Sequence, residues 1–223
     1  MSMAENLERI KERIARAAAR AGRSPAEVTL VAVSKMQELS AIREAVSIGI
    51  TDIGENWVQE AGPKVVTLRE EGLHPTWHMI GHLQSNKAKA AVGLFDVIES
   101  VDTIHLAETI SRLASRPVPV LIEVNVAGEA TKSGIGPEEV AEMVARARAL
   151  PNLQVLGLMT IAPMVADPEQ VRPVFRQLRD IARKLDLQHL SMGMTDDFEV
   201  AIEEGATIVR IGRAIFGQRK EEK

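Results

Sequence analysis

The sequence predicts one α/β domain over residues 1–223, a (β/α)8 barrel of the TIM type with a leading N-terminal helix. Three observations predict it. Short apolar runs alternate along the whole chain with segments whose apolar residues recur three or four positions apart. The runs are continuous Val/Ile/Leu stretches, the pattern of parallel strands covered on both faces by helical crossovers. No Pro-, Gly- or Ser-rich linker divides the chain, and 223 residues, against about 250 for a typical barrel, leave room for little else. A doubly wound open sheet gives the same alternation and stands as the alternative.

The N-terminal stretch MSMAENLERIKERIARAAARAG mixes carboxylates with arginines and has no apolar segment, so it predicts an amphipathic helix rather than a signal peptide. The first strand, VTLVAVS at Val28–Ser34, is followed by Lys35 and then by helical spacing over Glu38–Ile48. ITDIG (Ile50–Gly54) precedes a helix over Asn56–Glu71. TWHMIG (Thr76–Gly81) and FDVIES (Phe95–Ser100) are the next strands, and a helix over Thr103–Ser115 follows. VPVLIEVNV (Val118–Val126) leads to a helix over Pro137–Leu150, and LQVLGLMT (Leu153–Thr160) to one over Pro168–Leu187. QHLSMGM (Gln188–Met194), a helix over Asp196–Glu204 and ATIVRIG (Ala206–Gly212) complete the set.

Composition removes several function classes. The net charge is -4, which offers no global basic field for nucleic acid or an anionic membrane. There is no cysteine, so disulfides, thiolate metal sites and a cysteine nucleophile are excluded, and a reducing compartment fits. No stretch approaches the roughly 18 consecutive apolar residues of a membrane span. A cytoplasmic protein is the simplest expectation.

Barrels of this type place their active site at the carboxyl ends of the strands, so the residues after each run are the candidates. Ser34-Lys35, GENW (Gly54–Trp57), HMIGHLQSNK (His78–Lys87), Asn125, Met159-Thr160, SMGMTDD (Ser191–Asp197) and RIGRAIFG (Arg210–Gly217) all fall there. Lys35 stands where core meets rim. A lysine there can simply snorkel to water. In a partly apolar pocket, however, desolvation disfavours the ammonium form and makes the amine nucleophilic toward an aldehyde or ketone, the chemistry of a Schiff-base lysine. The loops after the seventh and eighth strands are where such barrels hold phosphate, and here Ser191 supplies a hydroxyl while Gly193 and Gly212 admit backbone N–H groups to an anion. A carbonyl-reactive lysine facing a phosphate nest describes pyridoxal 5'-phosphate (PLP). No P-loop and no G-x-G-x-x-G occurs.

Over nearly its full length the chain resembles the pyridoxal phosphate homeostasis protein family, related to the N-terminal barrel domain of alanine racemase. The resemblance rests on AVSK (Ala32–Lys35), GEN (Gly54–Asn56), WHMIGHLQSNK (Trp77–Lys87), TKSGI (Thr131–Ile135), GLMTI (Gly157–Ile161), LSMGM (Leu190–Met194) and VRIGRAIFG (Val209–Gly217). It implies that Lys35 carries PLP as a Schiff base, and that Ser191 and the Gly212-Arg213 backbone hold the phosphate, beside Gly193 of the same anion loops. It also implies that Arg210 faces the pyridine nitrogen and that Asn56 joins the cofactor contacts. A monomer, a cytoplasmic location, and a role in buffering PLP or delivering it to apo-enzymes are implied likewise. Trp57 stands where the family usually has tyrosine, and Thr195 and Phe198 replace a serine and a methionine, which bears on the pocket wall.

Other polar residues read as structural. His78 and His82 lie four apart across a strand end, too far apart for joint metal ligation, and no metal is expected. Asp196 and Asp197 read as helix capping and Glu55 as an acid favoured near a helix N-terminus. Lys87, Lys89 and Lys132 read as solvated, although Lys132, in a mobile loop over the rim, could touch an anionic ligand. Three function classes remain: a PLP carrier, a PLP enzyme such as a racemase, and a cofactor-free Schiff-base aldolase. Little or no racemase activity is expected, because the chain has no tyrosine for the opposite face and the fixed charge of Arg210 weakens the ring as an electron sink.

Overall fold

A computed structural model describes residues 2–217. Eight parallel strands close into a barrel in chain order. They are β1 (Thr29–Val33), β2 (Asp52–Glu55), β3 (Thr76–Met79), β4 (Val97–Val101), β5 (Val118–Glu123), β6 (Leu153–Met159), β7 (His189–Ser191) and β8 (Ile208–Ile211). The open sheet is thereby excluded, because β8 pairs with β1 in the register Val31↔Arg210 and Ala32↔Ile211. Each strand is shorter than the apolar run that predicts it: β2 and β4 begin two residues later and end one residue further on, whereas the last residues of the other runs turn onto the rim.

The helices are α1 (Met3–Arg20), α2 (Leu39–Ser47), α3 (Val58–Glu70), α4 (Ala88–Leu94), α5 (Ile104–Leu113), α6 (Val140–Arg148), α7 (Arg172–Lys184), α8 (Phe198–Glu203) and α9 (Arg213–Phe216). Six follow the predicted spacing with trimmed ends. α4 and α9 lie in segments where the spacing predicts no helix. α1 starts on a capping box, Ser2 with Glu5, and buries Leu7, Ile10, Ile14, Ala17 and Ala18. It is fastened to the last elements of the barrel: Asn6 Nδ2 donates to the Ile215 carbonyl at 3.1 Å, and Arg13 pairs with Glu199 at 2.8 Å while lying 4.4 Å from the Phe198 ring centre.

The main core lies between sheet and helices, with Trp77, Phe175, Ile42, Ile98 and Leu106 among its fully buried side chains. Burial of this kind contributes roughly 25 cal/mol per Å² of apolar surface and supplies the main driving force for closing the barrel. A smaller cluster, Val31, Leu121, Met159 and Ile208, is contributed by β1, β5, β6 and β8. It leaves much of the barrel to charged side chains: Glu99, Glu123, His78 and Arg210 are all buried.

Candidate functional site

The turn after β1 presents Lys35. Gln37 N–H donates to the Ser34 carbonyl at 3.0 Å, closing a four-residue turn whose third residue, Met36, has φ 59. Ser34, fully buried, donates its hydroxyl to Glu55 at 2.6 Å. The Lys64 ammonium from α3 then donates to Glu55 at 2.8 Å, to Glu60 at 2.6 Å and to the Ser34 carbonyl at 3.0 Å. Met36 N–H donates to Glu60 at 2.5 Å, so both flanks of Lys35 are clamped to α3. Lys35 itself is half-buried between a buried and an exposed neighbour. Burial pushes the Glu55 carboxyl up, against the hydrogen bonds of Lys64 and Ser34. Glu55 is an anchor for this turn, and its proximity to a helix start does not explain it.

Across the β1–β8 seam lies Arg210, 4% exposed. One Nη donates to Ser191 Oγ at 2.6 Å and the other to the Thr160 carbonyl at 2.8 Å. Ser191 Oγ donates in turn to Glu99 at 2.5 Å. A serine hydroxyl has one proton, and here Glu99 takes it. Ser191 therefore enters the site through Arg210, with no proton left to offer a phosphate. Beyond β8, the Arg213 and Ala214 N–H groups open the single turn α9, where first-turn N–H groups have no intrahelical acceptor. The Arg213 guanidinium is turned outward onto Asp196 at 2.6 Å.

The two glycines of the anion loops differ. A side chain at Gly212 would stand 3.3 Å from the Val33 carbonyl, so the seam between β8 and the Lys35 turn is tight there. Gly193 has φ +94, and a Cβ on it would lie 2.6 Å from Ala201 Cβ and 2.9 Å from Phe198 Cα. Packing on α8 alone demands that glycine. Replacing Gly212 by Val should crowd the backbone nest and remove about 1.5–3 kcal/mol of phosphate binding, roughly ten- to a hundredfold in Kd. Titration with PLP and with phosphate-free pyridoxal checks it; equal losses for the two ligands would take the phosphate elsewhere.

Asn56 follows β2 on the other side of Lys35. Its Oδ1 is buried with no hydrogen-bond partner, and the residue lines a cavity of about 370 Å³ with Trp57, Met79, Gly81, His82 and Lys87. Asn56, Lys35, Gly212, Arg213 and Arg210 thus follow one arc of adjacent strands, β2, β1 and β8, with, beyond them, Ser191 on β7 and Gly193 just after it.

Sequence reasoning missed the charges inside the barrel. His78, read as bland, is buried with Nδ1 2.7 Å from Glu99 and Nε2 3.0 Å from Asp52. Burial alone would push the imidazole down, but the two carboxylates outweigh it and raise it to about 9. The same pairing holds Glu99 below the usual carboxylate range despite complete burial. Glu123, with Oε2 unpartnered, is pushed up to about 7 by burial and by Asp102, against the pull of Arg210. The available signal was parity: Asp52, His78, Glu99, Glu123 and Arg210 interrupt runs that otherwise read as fully buried strands.

Two structural readings need correction. Lys132 is tied to Glu129 at 2.6 Å and to the Ala162 carbonyl at 3.1 Å, and Asn125 fixes the same loop through the Glu129 carbonyl at 2.9 Å, so this lysine is not simply solvated. Asp197 occupies the N-cap position of α8 without a side-chain cap bond, and accepts instead from Met194 N–H at 2.5 Å. Among the described residues no group of three or more His, Cys, Asp or Glu side chains could hold a metal ion, and no helix is long and apolar enough to cross a membrane.

Fold and site together define a barrel of the alanine racemase N-terminal domain class, and the model of that domain matches residues 6–220. The particular family follows from closer relatives: the chain is 47% identical over 229 residues, 99% of its own length and all of the relative's, to a pyridoxal phosphate homeostasis protein of Aquifex aeolicus. It belongs to that family. PipY of Synechococcus elongatus PCC7942, solved with PLP bound, superimposes with a TM-score of 0.83 at 36% identity, over 97% of this chain and 100% of that one. The alanine racemase of Corynebacterium glutamicum shares the fold, with a TM-score of 0.66 at 18% identity, over 97% of this chain and 64% of the racemase.

Proposed function

We propose that this protein binds PLP, with Lys35 as the point of covalent attachment, and serves intracellular PLP homeostasis by holding and releasing the cofactor. The observation that carries the reading is the pairing of a clamped lysine turn at the end of β1 with a buried, doubly hydrogen-bonded arginine on the neighbouring strand β8. The residues fit the cofactor's chemistry. Lys35 supplies an amine, the α9 N–H groups suit a phosphate, Arg210 would face the ring nitrogen, and the orphaned Asn56 Oδ1 awaits a donor. PLP supplies an aldehyde and a ring that withdraws electrons. Full-length membership in a family named for PLP homeostasis, and a relative solved with PLP bound, support the same reading.

Holding rather than turnover follows from Arg210. Burial pushes its guanidinium down, but Glu99, Glu123 and Asp197 oppose this and so strong a base stays a cation; a fixed positive charge at the ring nitrogen then opposes the protonation that strong carbanion stabilisation requires. Racemisation also needs a second base on the opposite face, and the 223 residues contain no tyrosine to match a racemase's. The protein acts in this reading as a cytoplasmic monomer that passes PLP to apo-enzymes. Alanine Cα-hydrogen exchange and racemisation, assayed beside PLP transfer to an apo-enzyme, should show transfer with negligible racemisation. Robust racemisation that disappears with Lys35→Ala would establish an enzyme instead.

A further inference from the structure

We propose that Glu99, held by His78, is the positioning residue that aims Arg210 into the cofactor site through the Ser191 hydroxyl. This rests on the PLP-binding reading above. A buried guanidinium is aimed by the acceptors around it. Arg210 sits at 4% exposure, and two of its N–H groups are directed by acceptors, one the Thr160 carbonyl and the other Ser191 Oγ. The carbonyl belongs to the backbone and is always available. A serine hydroxyl is different: it rotates freely and can point its proton anywhere. Ser191 accepts from Arg210 only while that proton is directed elsewhere, and Glu99 Oε2 at 2.5 Å directs it.

As a carboxylate Glu99 has acceptors alone, so the proton between it and Ser191 has to be the hydroxyl's. Glu99 is fully buried, where an uncompensated charge is costly, and the compensation comes from His78 Nδ1 at 2.7 Å. His78 is oriented in its turn by Asp52 at 3.0 Å on Nε2. A carboxylate, an imidazolium, a second carboxylate, a hydroxyl and a guanidinium therefore form one continuous hydrogen-bonded chain through the barrel. Each member has its donor or acceptor direction fixed by the one before, and the chain ends on the cation assigned to the cofactor ring.

Two alternatives are physically distinct. If the chain only holds the barrel together, weakening it lowers stability and leaves the bound cofactor as it was. If it positions Arg210, the effect reaches the ring and bypasses the phosphate. The test uses Glu99→Gln and His78→Gln, each alone and combined with Arg210→Gln, with Ser191→Ala as the variant that breaks the bridge while leaving the buried ion pair intact. We expect each single variant to weaken PLP and phosphate-free pyridoxal by the same factor, on the order of tenfold, and to shift the bound cofactor's absorption maximum in the direction Arg210→Gln shifts it. Combined with Arg210→Gln, the losses should not add, because both changes remove one effect. Additive losses, or a lowered melting temperature with unchanged affinity and spectrum, would overturn the proposal.

The cofactor-free protein gives a second readout that does not depend on PLP binding. There the Arg210 guanidinium protons should be slow to exchange by NMR and should lose that protection in Glu99→Gln and Ser191→Ala. Unchanged protection in both variants overturns the positioning role even if PLP binds. Lost protection in a wild-type fold that takes up no PLP would refute the cofactor reading and leave the chain of contacts standing.

Discussion

Lys35→Ala should abolish covalent uptake of PLP completely while leaving a weaker, reversible association. The wild-type protein, incubated with PLP, reduced with borohydride and digested, should yield the Lys35 peptide carrying the mass of one reduced cofactor; the variant should yield none, and its visible absorption band should vanish. Completeness follows from the surroundings. Lys64 is an alternative amine beside the same turn, and its Nζ is committed to Glu55, Glu60 and the Ser34 carbonyl within 3.0 Å. Lys132 is engaged with Glu129 and two carbonyls. A label that persists in the variant, on either of these lysines, would move the attachment point. A label on wild type only when a carbonyl substrate other than PLP is added would favour an aldolase.

The second large effect is a loss of stability toward alkaline pH. His78 is raised from 6.5 to about 9 in the folded protein, so its contribution is fully present below about pH 6.5 and is lost as pH rises through about 9. At 1.36 kcal/mol per pKa unit the loss amounts to about 3 kcal/mol, a large share of a typical folding free energy. Glu123, raised from 4.5 to about 7, acts in the same direction over a lower window: stability it contributes in acid is lost as pH climbs through about 7. Asp52 and Glu99, both lowered, act oppositely and weaken the fold only as pH falls through the acid range. Urea unfolding at pH 6, 7.5 and 9 should therefore show a steady decline. His78→Gln should be less stable at pH 6 and should flatten the alkaline limb. Glu123→Gln should flatten the limb between pH 5 and 7 and match or exceed wild type at pH 8. An alkaline limb of undiminished slope in His78→Gln would mean that the imidazole is not charged in the fold.

The barrel was legible because its strands are buried on both faces, which erases polar alternation and leaves continuous Val/Ile/Leu runs between helical segments. α4 escaped because AKAAVGL is only seven residues, mostly small, with no apolar stripe and no capping side chain to mark its start. α9 is a single turn inside what reads as a loop. The placement of Lys35 after β1 and of Gly212-Arg213 after β8 was legible from position alone, since a strand end fixes where a residue lies. Ser191 was located correctly but its hydrogen-bond direction was not, because that depends on Glu99, which lies 92 residues away in sequence. His78 was misjudged for a related reason. A histidine inside an apolar run looks neutral until the carboxylates on neighbouring strands are known, and the register that brings Asp52 and Glu99 to it is a property of the closed sheet.

The seam between β1 and β8 has a consequence for biosynthesis. Lys35 follows the first strand made, and Arg210 and Gly212 lie on and just after the last, so the two sides of the proposed site meet only when the eighth strand slots against the first and α1 docks on α8 and α9. A ribosome-bound chain lacking β8 already displays the lysine but has neither the arginine nor the α9 amides. On the proposed reading, vectorial synthesis thus delays competence to capture the aldehyde until the polypeptide has emerged through β8, and a stalled or proteolytically clipped fragment would carry an amine with nothing to hold its ligand in place.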